Sequence, residues 1–217
     1  MLKFLHQTLD WDSVQTVGFD LDGTLYDEYD FIAQVYRPIA KSLVEVAGGD
    51  TDAIYDRLLQ RWLEKGSSYN RIFDEILVEE GVPAVDRLRI IAQCLSEFRN
   101  FQPRLCLSGR VEKILDWISA RFPLFLVTDG GEKLQLAKVE ALGLERWISR
   151  DNILISSCLG QGVTKSDIKM SLPVRILQGS EVQPRNVIYF GDRDVDAAFA
   201  ENCGYQFVRV KVMMPIL

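Results

Sequence analysis

Two aspartates flank a single leucine in the stretch TVGFDLDGTLYDE, residues 16–28, directly after an apolar run. Charge on both sides of one residue does nothing for the stability of a strand, so its chemistry is the first question. In extended chain Asp20 and Asp22 point the same way, and Gly23 behind them allows a sharp turn. Three more polar groupings follow apolar runs: Thr128-Asp129-Gly130-Gly131, the GQGVTKSD segment with Lys165, and FGDRDVD with Asp192, Asp194 and Asp196. Carboxylates brought together repel one another and call for a counter-charge. A hard divalent cation supplies it, magnesium better than calcium, because few protein ligands are on offer and water or phosphate can complete the octahedron. Such a cation with a lysine and a hydroxyl suits a phosphate dianion. A central aspartate can then attack phosphorus to form an aspartyl-phosphate. A second carboxylate, two residues on, can give a proton to the leaving oxygen and later take one from water.

The elements that must position these groups alternate. Short β-rich runs at 14–19, 123–128, 152–156, 186–190 and 205–210 are near-continuously apolar, which suits strands covered on both faces. Helical spacing joins Val111, Ile114, Leu115, Ile118 and Phe122, then Leu134, Ala137 and Ala141, with Gly143 placed to end the second helix. The pattern predicts an α/β fold with a doubly wound, Rossmann-like parallel sheet. In such a sheet the carboxyl ends of the strands face the ligand crevice, so the four polar groupings are expected around one site.

Residues 26–105 read differently. Helical periodicity runs through Phe31, Val35, Ile39 and Leu43, through Leu58 and Trp62, through Ile72, Phe73, Ile76 and Leu77, and through Leu88, Ile91, Leu95 and Phe98. That is far more than a crossover needs, and it predicts an inserted all-α subdomain over 26–105 within a core formed by 1–25 and 106–217. Pro38 predicts a kink or break in the first helix. The aromatic residues Phe31, Tyr36, Trp62, Tyr69 and Phe73 read as core. Arg37, Arg61 and Lys65 read as solvated, with one of them available to meet an anion.

Composition narrows the class. Of 217 residues, 47% are apolar and 26% charged, enough for a core without staples. A net charge of −6 with scattered Lys and Arg argues against nucleic acid or an anionic membrane as partner. Cys94, Cys106, Cys158 and Cys203 form no C-x-x-C pair and His6 stands alone, so a zinc site is not expected and the thiols read as reduced. The opening MLKFLHQTLDWDS reads as neither signal peptide nor membrane span, and a cytoplasmic protein is expected.

FDLDGTLYD, LVTDGG, the lysine of GVTKSD and VIYFGDRDVDAA together resemble the four motifs of the haloacid dehalogenase-like hydrolase superfamily, in that family's order. The resemblance implies a helical cap, inserted after the first motif, that closes over the site. It implies Asp20 as nucleophile and Asp22 as general acid/base, with Thr128, Asp129 and Lys165 at the phosphate. It implies Mg²⁺ held by Asp20, the Asp22 carbonyl and Asp192, with Asp196 a further ligand or a support behind one. Two positions depart from the family pattern. Asp129 stands where asparagine is usual, and is expected to turn away from phosphate or to be held by backbone donors or Lys133. Ser166 follows Lys165 where proline is usual, which leaves Lys169 as an alternative, with Lys165 preferred on its flanking residues. Asp194 is expected to cap the following helix. Asp22 favours phosphoryl transfer over dehalogenation. The implied activity is a Mg²⁺-dependent phosphatase for a small phosphorylated metabolite, in a monomer or homodimer. A phosphomutase, or an inactive binding protein that keeps the fold, are the alternatives.

Overall fold

The computed structural model describes residues 11–168 and 182–215, so His6 and Lys169 lie outside the described residues. Five parallel strands carry the apolar runs: β1 (Thr16–Phe19), β2 (Leu124–Thr128), β3 (Ile153–Ile155), β4 (Val187–Gly191) and β5 (Gln206–Lys211). A two-residue β6 (Met214–Pro215) pairs antiparallel to β5, giving the order β3-β2-β1-β4-β5-β6. The chain winds outward from β1 in both directions, which is the arrangement that opens a crevice at the strands' carboxyl ends. Phe19 is in register with both Leu126 and Phe190, so the chain leaves β1, β2 and β4 at nearly one level.

β1, β2 and β4 are buried at every position because helices cover both faces of the sheet. Phe125, Val127, Tyr189, Phe199 and Cys203 form one cluster on this sheet, and the Tyr189 hydroxyl donates to the Val127 carbonyl at 2.8 Å. Val17, Phe19 and Leu21 are wholly buried, each worth about 1.5–3 kcal/mol against the exposed state. Leu21 thus anchors the turn that carries the two aspartates.

The β5–β6 turn was not foreseen. Val212 and Met213 occupy the left-handed region (φ 47° and 55°), where hairpins ordinarily place Asn-Gly. Their N–H groups donate to the carbonyls of Gly23 and Thr24, both at 2.8 Å, and so brace the loop after β1.

Residues up to Glu28 and from Leu105 onward form one compact unit, and Tyr29–Arg104 form the other. The second unit contains nearly all of α1 (Glu28–Ala47), then α2 (Thr51–Lys65), α3 (Ile72–Glu79) and α4 (Ala84–Asn100). Of the kink or break expected at Pro38, the break does not occur: α1 is continuous through it. The proline forfeits a turn bond worth about 3 kcal/mol, but Phe31, Ile32, Val35, Ile39 and Leu43 are buried on either side of it and outweigh that loss. The phase of α4 also differs from expectation. Ile90 and Cys94 are its buried residues, whereas Leu88 is 78% exposed. Arg37 pairs with Asp52, and Arg61 with Glu64, Glu75 and Glu79, within this unit.

The first unit is completed by α5 (Gly109–Ser119), capped by the Ser108 hydroxyl, by α6 (Glu132–Ala141) and by α7 (Asp194–Cys203). Gly204, in the left-handed conformation at φ 71°, ends α7.

Candidate active site

Asp20 is the first residue beyond β1, and its N–H still donates to Phe190 O at 2.8 Å, so the strand itself fixes its backbone. Its carboxylate is fully buried. One oxygen accepts from Lys165 Nζ and the other from the Thr24 hydroxyl at 3.2 Å. Lys165 comes from a short helical turn after β3, closed by a capping box between Thr164 and Asp167. Its ammonium, also wholly buried, bridges Asp20 and Asp196.

Asp196 has both oxygens engaged. Oδ1 takes Lys165, while Oδ2 accepts the backbone N–H groups of Asp192 (3.2 Å) and Arg193 (3.0 Å). It therefore closes the N-terminus of α7, the task expected of Asp194. Asp194 is instead an exposed side chain paired with Arg209. Asp192 lies between these anchors, with its carbonyl accepting from Arg209 Nη1 at 2.9 Å. Gly23 makes room for it. At φ 78° a side chain would be strained, and a Cβ there would come within 2.8 Å of Asp192 Cγ.

The electrostatics of this group are unbalanced. Oxygens of Asp20, Asp192 and Asp196 lie within 4.8 Å of one another, with the ammonium of Lys165 among them and Arg193 Nε 3.8 Å from Asp192 Oδ1, so three negative charges face two positive ones. Burial pushes the Asp20 carboxyl up to about 7, with Lys165 opposing and Asp196 adding to the rise. Burial likewise raises Asp192 to about 6, against the pull of Arg193. For Lys165, burial works downward, but Asp20 and Asp196 outweigh it and hold the ammonium above its usual range. Asp192 Oδ1 is buried without a hydrogen-bond partner. A surplus of one negative charge, all-oxygen donors and a buried carboxylate oxygen that receives no hydrogen bond fit a hard divalent cation.

Asp22 lies apart from that cluster. Its Oδ1 accepts from the Tyr26 hydroxyl and from Lys138 Nζ at 2.7 Å, and its Oδ2 from Gln135 Nε2 at 2.9 Å. Burial alone would raise this carboxyl, but Lys138, with the bonds from Tyr26 and Gln135, holds it below the usual carboxylate range. Gln135 Nε2 also reaches Thr128 Oγ1 at 3.0 Å and the Asp129 carbonyl. Thr128 ends β2, buried beside Asp20's strand. The Asp129 carboxylate turns to the Lys165 backbone, accepting its N–H at 2.8 Å.

The residues expected at the site thus fall into a cation-seeking group (Asp20, Asp192, Asp196, Lys165) and a group around Asp22. Gln135, Lys138 and Tyr26 were missed. Long polar side chains on a helix read as solvent-facing, yet Lys138 stands four residues after Leu134, on the same inward face. That spacing was the available signal.

The chain belongs to the haloacid dehalogenase-like hydrolases, whose family model matches residues 14–204. It is 26% identical over 206 residues to a glyceraldehyde 3-phosphate phosphatase of Methanocaldococcus jannaschii, covering 91% of this chain and 85% of the relative. It is 22% identical to a phosphoglycolate phosphatase of Shigella boydii, covering 89% and 80%. Among solved structures it resembles the HAD hydrolase YfnB of Bacillus subtilis bound to magnesium, at TM-score 0.61 and 16% identity, covering 91% of this chain and 86% of that one. No helix among the described residues is long and apolar enough to cross a membrane.

Proposed function

We propose that this protein is a Mg²⁺-dependent phosphatase that hydrolyses a small phosphorylated metabolite through an aspartyl-phosphate on Asp20. One observation carries the reading: the three carboxylates of Asp20, Asp192 and Asp196 converge with only two cations, Lys165 and Arg193, against them, while Asp22, two residues from Asp20, is held separately by a cation of its own. The phosphatase relatives and the magnesium-bound structural neighbour support it.

Asp20 and Asp192 would hold the Mg²⁺ by their carboxylates and Asp22 by its carbonyl, with Asp196 fixing the Asp192 loop from behind. The ion would neutralise charge on the transferring phosphoryl group. Thr128 Oγ1 and Lys165 Nζ would bind phosphate oxygens. An Asp20 oxygen attacks phosphorus as the ester P–O bond breaks, and Asp22, which enters the cycle having taken up a proton at Oδ2, delivers it to the departing alkoxide. Asp22 then takes a proton from water as that water attacks phosphorus, releasing phosphate and restoring the Asp20 carboxylate. The helical unit 29–104 would serve as the cap that excludes bulk water and contributes specificity.

Phosphate release from p-nitrophenyl phosphate tests the reading. Turnover should require Mg²⁺, stop in EDTA and be lost in Asp20→Asn. Persistence of turnover in that variant would exclude the mechanism.

A further inference from the structure

Lys138 and Gln135 sit three residues apart on the inward face of α6, and both are almost wholly buried. A lysine and a glutamine are poor choices for a buried helix face unless their polar ends have work there. Both end on one carboxylate, that of Asp22. Gln135 reaches it at a cost: its carboxamide oxygen is buried with no hydrogen-bond partner among the described residues. Turning the amide over would satisfy neither end, because the oxygen would then face Asp22 Oδ2 and the Asp129 carbonyl.

The bonds are divided unequally over the two oxygens. An ionised carboxylate offers about four acceptor sites, two on each oxygen. Oδ1 takes both Tyr26 Oη and Lys138 Nζ, whereas Oδ2 takes Gln135 alone. One acceptor position of Asp22 is left, and it lies on Oδ2. Gln135 also ties that oxygen to Thr128 and to the Asp129 carbonyl at the end of β2.

From this geometry we infer that Lys138 and Gln135 are positioning residues for the general acid/base: they saturate one oxygen of Asp22 and present Oδ2, in fixed orientation, as the proton-handling atom. The inference rests on the phosphatase reading above and assigns the residues that make its proton transfer possible. Proton transfer by a positioned group contributes about 10²–10⁴-fold, and only when that group stands within hydrogen-bond reach of the proton. A carboxylate free to rotate about its two side-chain torsions would seldom meet that condition. Lys138 touches neither phosphorus nor the leaving oxygen in this scheme; it acts through Asp22.

The test compares two aryl esters of similar shape, phenyl phosphate and p-nitrophenyl phosphate, in the full-length protein with Mg²⁺. The phenolate leaving group needs the proton; the nitrophenolate needs it far less. In Lys138→Met, kcat/KM for phenyl phosphate should fall by about 100-fold and that for p-nitrophenyl phosphate by about tenfold or less, with KM moving little. Lys138→Arg should recover part of the loss on phenyl phosphate. Gln135→Leu leaves the ion pair in place, and should show the same selective loss at about tenfold. It serves as the reading if thermal melting shows Lys138→Met to be unfolded. Equal losses on both esters, or no loss in either variant, would overturn the positioning role. Failure of the unaltered protein to release phosphate from either ester would overturn the phosphatase reading itself, and this inference with it.

Discussion

The Asp129 carboxylate accepts the backbone N–H of Lys165 at 2.8 Å, joining the end of β2 to the short helical turn that carries Lys165. In the proposed mechanism this bond would turn a negative side chain away from the phosphate and use it to fix the position of Lys165. Asparagine offers the same carbonyl oxygen without the charge. Asp129→Asn should therefore retain activity and lower KM for an anionic substrate by up to about threefold, since one repulsive charge is gone. Asp129→Ala leaves the amide unpaired and should lower kcat by about tenfold, as a misplaced phosphate-binding group does. Steady-state kinetics on the two variants separate these outcomes; an inactive Asp129→Asn would show that the charge itself is needed.

Asp192 and Asp196 should part company in stability. Asp196 holds Lys165 and two backbone amides, so Asp196→Ala strands a buried ammonium with one partner fewer and should cost about 3 kcal/mol. Asp192 has a buried oxygen without a hydrogen-bond partner and a raised carboxyl. Removing it relieves repulsion in the metal-free protein, so Asp192→Ala should be neutral or stabilising in EDTA while weakening the response to Mg²⁺. Urea denaturation with and without Mg²⁺ checks both; a large loss from Asp192→Ala in EDTA would contradict the assignment.

The pH dependence has a defined sign. Asp20 and Asp192 both start from an ordinary value of 3.8 and are raised, to about 7 and about 6. A carboxyl raised on folding stabilises the fold fully only below its unfolded value, and that contribution is lost as pH rises through the folded value. The metal-free protein should therefore lose thermal stability between about pH 4 and about pH 7. Mg²⁺ competes with those protons, so its stabilising shift should be larger at the higher pH. A melting temperature that climbs across that range in EDTA would count against the buried acidic cluster.

The register of α4 can be tested in the same way. Ile90→Ala should cost about 2–4 kcal/mol by leaving a cavity, whereas Leu88→Ser should stay within about 0.5 kcal/mol. Denaturation midpoints that put the larger loss at Leu88 would restore the face expected from spacing alone.

The parallel sheet and its polar strand ends were legible because strands buried on both faces must be apolar runs, and because the groups at their carboxyl ends share one crevice. The meeting of Asp20, Lys165 and Asp192 follows from that rule. The β5–β6 hairpin was hidden, since Val212 and Met213 carry no turn chemistry and are held at positive φ by carbonyls of the loop after β1. α4 hid its phase because Leu88 and Ile90 are both apolar, and spacing could not say which one a neighbouring helix covers. The partners of Asp22 were hidden for the opposite reason. Lys138 and Gln135 look like surface residues until the helix is folded against the first motif. That Asp196 rather than Asp194 closes α7 depends on which carboxylate faces Lys165, and sequence order does not encode that.

The covalent step is the most exposed to direct measurement. Rapid acid quench during turnover of a phosphate ester, followed by borohydride reduction, converts an acyl phosphate on aspartate to homoserine, which peptide mass spectrometry can locate. Homoserine at position 20, absent without substrate and without Mg²⁺, is the expected result. Phosphate release with no homoserine at position 20, or with homoserine at another aspartate, would contradict Asp20 as the nucleophile.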